Sequence, residues 1–118
     1  MKAADNGYPI GMYNAALCLM QGRGCEKNLE ESLELMEKAS DLDLENAVVQ
    51  YGIMVRDGIG TKKNMKKAIK IFQQGADKNY RKCQYLLGSI YYDGCPELKQ
   101  DTKKALQLFK KAAQQGYA

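Results

Sequence analysis

The residues able to do chemistry are few, and their types exclude more than they allow. The 118-residue chain contains four cysteines and no histidine. Without histidine there is no Ser-His or Cys-His nucleophile and no imidazole metal ligand. The cysteines, Cys18, Cys25, Cys83 and Cys95, include no Cys-x-x-Cys pair and are too sparse for a disulfide scaffold. Cys18 and Cys83 are expected on apolar helix stripes, Cys25 and Cys95 in turns. Cys95 has Lys99 and Lys103 nearby, which would lower a thiol pKa, but no base or orienting partner accompanies it. The plainer expectation is reduced thiols acting as small apolar or turn residues, which favours a reducing, cytoplasmic compartment. No catalytic residue, metal or cofactor is expected.

Charge is the second chemical signal. The net charge is +4, yet residues 8–43 carry 3 basic and 7 acidic side chains, whereas 44–79 and 80–118 each carry 7 and 3. The contrast concentrates in equivalent slots: Glu26, Glu30 and Glu31, then Lys62, Lys66 and Lys67, then Lys99, Lys103 and Lys104. These slots lie in the turn or the first turn of the second helix, where the helix dipole favours Glu over Lys, so local stability does not explain the lysines. They form either a solvated outer edge or a basic edge that steers an acidic partner and lets molecules associate weakly head to tail. A pI near 8.8 and the lack of aromatic-basic alternation argue against nucleic acid.

The elements that position these residues repeat. Gly22, Gly58 and Gly94 are 36 residues apart, as are Ala3, Ala39 and Gly75. One residue is inserted after Gly94, so Ala112 follows Gly75 by 37. The repeats are 8–43, 44–79 and 80–116, and residues 2–7 match 111–116, so 1–7 read as the end of a preceding repeat. Each repeat has a first helical half, a Gly-containing turn and a second amphipathic half. In the third repeat Cys83, Leu86, Leu87, Ile90 and Tyr91 form the apolar stripe of the first half, and Ala105, Leu106, Phe109, Ala112 and Ala113 that of the second. Gly7, Asp43, Asn79 and Gly116 occupy helix C′ slots, with Asp43 the poorest fit to a left-handed residue. This predicts six antiparallel helices of about 12 residues, each repeat burying its stripe against its neighbours. Small residues at Ala16, Ala39, Gly52, Gly88 and Ala112 would let helices approach, with Met36, Phe72 and Phe109 filling the gaps. Gly75 is expected to weaken its helix by about 1 kcal/mol relative to Ala. Units one and three are kept apart by the second, so the cysteines cannot converge on a zinc ion. The longest apolar run, Ala15–Met20, is far short of the roughly 20 residues of a membrane span, and residues 1–20 lack a signal-peptide layout.

The stretches Cys83–Gly94 and Lys104–Gly116 resemble the Sel-one-like repeat, an α/α relative of the tetratricopeptide repeat. Its pattern is roughly A-x-x-x-L-G-x-x-Y-x-x-G-x-G, then K-A-x-x-x-aromatic-x-x-A-A-x-x-G. The second repeat carries the Gly-x-Gly turn as Gly58-Ile59-Gly60. The first departs most, with Ala15-Ala16 for Leu-Gly, Leu19 for Tyr, Ser32 for Ala and Met36 for the aromatic. The resemblance covers essentially the whole chain and implies an all-α, right-handed α/α solenoid of three hairpins plus the tail of a fourth, a fragment of a longer array. It implies a non-catalytic scaffold or adaptor binding a peptide or protein in its concave groove. Cysteine-rich relatives staple neighbouring helices, but the slots here, Ser40/Ala47 and Ala76/Cys83, complete no pair. By the same analogy the groove-facing residues would be Tyr13, Met20 and Gln21; Asn46, Val49, Arg56 and Asp57; and Lys82, Tyr85, Ser89, Tyr92 and Asp93. Tyr13 and Tyr85 have an alternative role, packing between helices with only the hydroxyl exposed. A structural spacer within a larger protein is the competing function, and an enzyme the least supported. The longer third turn, with Cys95-Pro96 replacing Ile59-Gly60, is expected to be a tolerated insertion at an exposed tip.

Overall fold

The computed structural model describes residues 3–22 and 27–115. Among these, six α-helices follow one another: α1 (Ala3–Gln21), α2 (Leu29–Asp41), α3 (Glu45–Asp57), α4 (Met65–Asp77), α5 (Arg81–Asp93) and α6 (Thr102–Gln114). The protein is all-α, built of helical hairpins, as its sequence period predicts.

The helix ends follow from local chemistry. Asp43 (φ 63°) and Asn79 (φ 65°) are both left-handed. Around them the Leu44 N–H donates to the Ala39 carbonyl and Asp43 N–H to Ser40, while Tyr80 N–H donates to Gly75 and Asn79 N–H to Ala76. Each set is a complete Schellman closure, so Asp43 fills its slot as fully as Asn79. Gly116 lies outside the described residues. At the N-termini, Asn28 Oδ1 accepts from the Glu31 N–H at 3.1 Å and Asp101 Oδ1 from the Lys104 N–H at 3.0 Å. These side chains satisfy amides that the helix itself leaves unpaired.

A backbone latch closes each first helix on its turn. The amides of Asn28, Asn64 and Asp101 donate to the carbonyls of Leu19, Val55 and Tyr91 at 2.9, 2.9 and 2.8 Å. These residues are equivalent in the period, and the insertion after Gly94 does not disturb the third latch. The inserted turn is itself closed. Cys95 and Leu98 exchange two backbone hydrogen bonds around Pro96 and Glu97, and Gln100 Nε2 donates to the Tyr92 carbonyl at 2.8 Å. The stretch expected to be a merely tolerated tip is a folded turn tied to the end of α5.

The chain forms two compact units, Met1–Asn64 and Met65–Ala118, and the division falls inside the second repeat. In the first, α2 packs between α1 and α3. Met36, Ala39, Ala47 and Met54 are completely buried there. Ser32, standing where later repeats have Ala, is also buried, and its hydroxyl donates to the Ala16 carbonyl at 2.6 Å. In the second unit α5 packs against both α4 and α6. Phe72, Cys83, Leu87 and Ala105 form its core. A Cβ added at Gly88 would sit 2.9 Å from Phe109 Cε1, so Gly88 seats that ring against α5.

Four sequence expectations are corrected. Gly75 is a requirement of packing: an added Cβ would collide with Cys83 Sγ and lie 2.9 Å from Cys83 Cβ. Cys18 is exposed, whereas its counterpart Met54 is fully buried. Leu106 (53% exposed) and Ala113 are likewise exposed. Cys18 lies on α1, which packs on α2, and Leu106 and Ala113 lie on α6, which packs on α5. Finally, α1 runs on through Gly7, which therefore does not end a helix as its C′ slot predicts.

Candidate functional site

The anticipated binding residues fall on separate helix faces. In α5, Lys82, Tyr85, Ser89 and Tyr92 are spaced by three, four and three, which places them on one face. Tyr85 is 45% and Tyr92 57% exposed, Lys82 and Asp93 are exposed, and Ser89 is half-buried. The Tyr85 ring packs on Phe109 with centroids 5.6 Å apart and planes tilted by 45°. One side of the Tyr85 ring is therefore fixed by α6, while more than its hydroxyl stays exposed. Tyr92 is held through its carbonyl by Gln100.

In the first unit the arrangement is less open. Tyr13 and Met20 are half-buried, and Gln21 and Asn46 are exposed. Val49, anticipated beside them, is buried at 8% exposure, because its position on α3 turns into the core. Arg56 and Asp57 hold one another: Nε lies 2.9 Å from Oδ1 and Nη2 donates to Oδ2 at 3.2 Å. These hydrogen bonds raise the Arg56 pKa and lower that of Asp57, against an opposing contribution from partial burial. Arg56 also sits in the last turn of α3, where a cation complements the helix dipole.

The lysine edge is on the surface. Lys62, Lys66, Lys67, Lys99, Lys103 and Lys104 are all exposed. Lys104 Nζ lies 5.3 Å from the centroid of the Tyr91 ring, a cation–π distance. The acidic counterparts Glu30 and Glu31 are exposed on α2, while Glu26 and Cys25 lie outside the described residues. Cys83 is buried and Cys95 half-buried, with no disulfide among the described cysteines. No group of three His, Cys, Asp or Glu residues suited to a metal ion occurs among the described residues. No described helix is long and apolar enough to cross a membrane.

The sequence reading missed one buried polar hub. Gln84 is 1% exposed; its Nε2 reaches the Ala76 carbonyl at 3.4 Å and Asn79 Oδ1 at 3.3 Å, and its Oε1 accepts from Gln115 Nε2 at 2.6 Å. It ties the end of α4 to the end of α6. The available signal was a polar residue at the slot that Val48 fills in the preceding repeat.

Comparison with known proteins agrees with this architecture. The Sel1 repeat family model matches three times, over residues 9–44, 46–80 and 81–117. A Sel1 repeat protein from Oxalobacter formigenes is 28% identical with a TM-score of 0.83, the match covering 92% of this chain and 44% of that one. The protective antigen c5321 of uropathogenic Escherichia coli, which displays an SLR fold, is 28% identical with a TM-score of 0.85, covering 98% and 24%. This chain thus spans less than half the length of either. Cysteine rich protein B of Helicobacter pylori shares the fold at 21% identity and a TM-score of 0.73, covering 98% and 87%. No curated protein matches the chain. The repeat fold is a general scaffold type for protein–protein interaction. With three matched repeats spanning nearly all of its residues, the chain belongs to the Sel1 repeat family.

Proposed function

We propose that the chain is a non-catalytic interaction module that binds a peptide or protein partner through the faces of its first helices. The observation that carries this is the pair Tyr85 and Tyr92, seven residues apart on α5 and both about half exposed. Amphipathic aromatic rings that are already ordered lose little entropy on binding and are common interface anchors. Lys82, Ser89 and Asp93 add polar contacts on the same helix; Tyr13, Met20, Gln21, Asn46, Arg56 and Asp57 offer them in the first unit. The free thiols of Cys18, Cys83 and Cys95 support a reducing, cytoplasmic setting.

The test is a pull-down comparing the wild-type chain with Tyr85→Ala/Tyr92→Ala. Loss of specific bound proteins, with the helical signal retained, is expected. An unchanged set of bound proteins would favour a purely structural spacer instead. A second mode, weak head-to-tail self-association, is supported by a charge contrast. α2 carries Glu30, Glu31, Glu34, Glu37 and Asp41 against Lys38, whereas α6 carries Lys103, Lys104, Lys110 and Lys111 and no acid. Sedimentation should show association that weakens with salt and with Lys66→Glu/Lys103→Glu; salt-independent behaviour would exclude this mode.

A further inference from the structure

A cleft of about 130 Å³ opens among α4, α5 and α6, away from the tyrosines of the α5 face. Its apolar lining is Ala76, Leu87 and Leu108, contributed one from each helix. Its polar lining includes Lys104, Gln107 and Lys111 of α6, with Asp77 as its one acid. Asp77 is occupied in part by Gln73 Nε2, which donates to it at 3.0 Å. Lys104 and Lys111 are seven residues apart, hence on one side of α6 and about 10 Å apart along its axis. Neither forms an ion pair among the described residues. Tyr91 lies beneath Lys104 and holds its ammonium at the cleft.

We propose that this cleft is a second docking site, for an acidic segment of a partner protein that inserts one aliphatic side chain between its carboxylates. The volume argues for this occupant: cofactor and drug-sized sites start at about 300 Å³, so the cleft holds a single side chain. The lining argues for the chemistry, with an aliphatic floor beneath two ammonium groups that form no ion pair among the described residues, the one acid of the lining, Asp77, accepting instead from Gln73. The surroundings add attraction, since exposed Lys66, Lys67, Lys70, Lys103 and Lys110 lie on the same two helices, α4 and α6. Such a field steers an acidic chain toward the cleft. A nucleic acid fits less well, because the one aromatic ring in the lining is already engaged by Lys104 and leaves no stacking platform.

The experiment is fluorescence anisotropy with a labelled Glu-Glu-Leu-Glu-Glu peptide at low salt, against the same peptide with Gln for Glu or Gly for Leu. Binding is expected to the first peptide and to weaken about tenfold in either substituted peptide. Lys104→Glu/Lys111→Glu should weaken it about tenfold or more, and raising salt to about 0.3 M should do likewise. Both substitutions are at exposed helical positions, and Glu at 104 would suit the first turn of α6, so the fold is kept. Gln107→Trp, which fills the cleft mouth without changing charge, should also abolish binding. Equal affinity for the Glu and Gln peptides, binding unaffected by Gln107→Trp, or tighter binding of a thymidine dodecamer would overturn the proposal. Tyr85→Ala/Tyr92→Ala should leave peptide affinity unchanged; loss there would move the peptide to the α5 face and sink the cleft, leaving the interaction module intact.

Discussion

The turn after α3 and the turn after α5 start alike and end alike but take different paths between. Gly58 and Gly94 both leave their helices at positive φ, 78° and 72°, with amides bonded to Met54 and Ile90. Both turns finish at the same latch, on Val55 and Tyr91. They part at ψ, which is 40° at Gly58 and 160° at Gly94. The reason lies two residues on. Gly60 has φ 80° and packs so tightly on the Leu29 carbonyl that a Cβ would collide with it. The equivalent third-repeat residue is Pro96, whose ring fixes φ near −65° and cannot follow that path. The chain diverts at Gly94, uses one more residue, and closes through Cys95 and Leu98. What the two hairpins share is a Gly exit and a latch. The interior of the turn can be rebuilt around them.

The comparison can be broken most forcefully at Gly60. Gly60→Ala combines positive φ with a backbone collision and should lower unfolding free energy by about 3 kcal/mol, read by urea denaturation. Pro96→Ala at the equivalent site should change it by less than about 1 kcal/mol, through the unfolded chain. Equal effects would mean that the two turns are not built differently. Next is Gly94→Ala, which should lose about 2 kcal/mol: its φ,ψ is nearly exclusive to Gly, and a Cβ would lie 2.8 Å from Gln100 Cβ. Asp101→Ala removes the cap of α6 and should lose about 1 kcal/mol, with Asp101→Asn largely restoring it. A loss near 3 kcal/mol would show that the side chain does more than cap.

The smallest effect concerns the residues just before each turn. Arg56 and Asp57 are paired, whereas the third repeat has Tyr92 and Asp93 there. The hydrogen bond from Arg56 lowers the Asp57 pKa, so the pair stabilises the fold above the ordinary Asp value of about 3.9. That contribution is lost as pH falls through the depressed folded value. Because the pair is solvent-accessible, Asp57→Asn should change stability at neutral pH by no more than about 0.5 kcal/mol. The difference between variant and wild type should shrink in acid; one that grew there would contradict the assigned pairing.

Much of this fold was legible because a repeat states its rules several times. The C′ slots at Asp43 and Asn79, the small residues at Ala16 and Gly88, and the aromatic fill at Phe72 and Phe109 each stood at a fixed period. The misjudged residues were those whose environment depends on neighbours rather than on their own helix. Cys18, Leu106 and Ala113 share stripes with buried residues but face solvent rather than the helix packed on theirs. Gly75 suggested weakness only while the thiol of Cys83 was not known to fill the space beside it.

The anticipated binding residues divide in the same way. Helical spacing alone places Tyr85 and Tyr92 on one face. It could not show that Val49 turns inward, or that Arg56 is held by Asp57. By itself, then, the sequence determined the period, the hairpins, the helix ends at Asp43 and Asn79 and the contrast between one acidic repeat and two basic ones, all set by local conformation and chemical type. Only the tertiary structure decided which of the lysines gather at a cleft and why Gln84 is buried. Those facts arise where α4, α5 and α6 meet, from side chains distant in the chain whose contacts no local rule specifies.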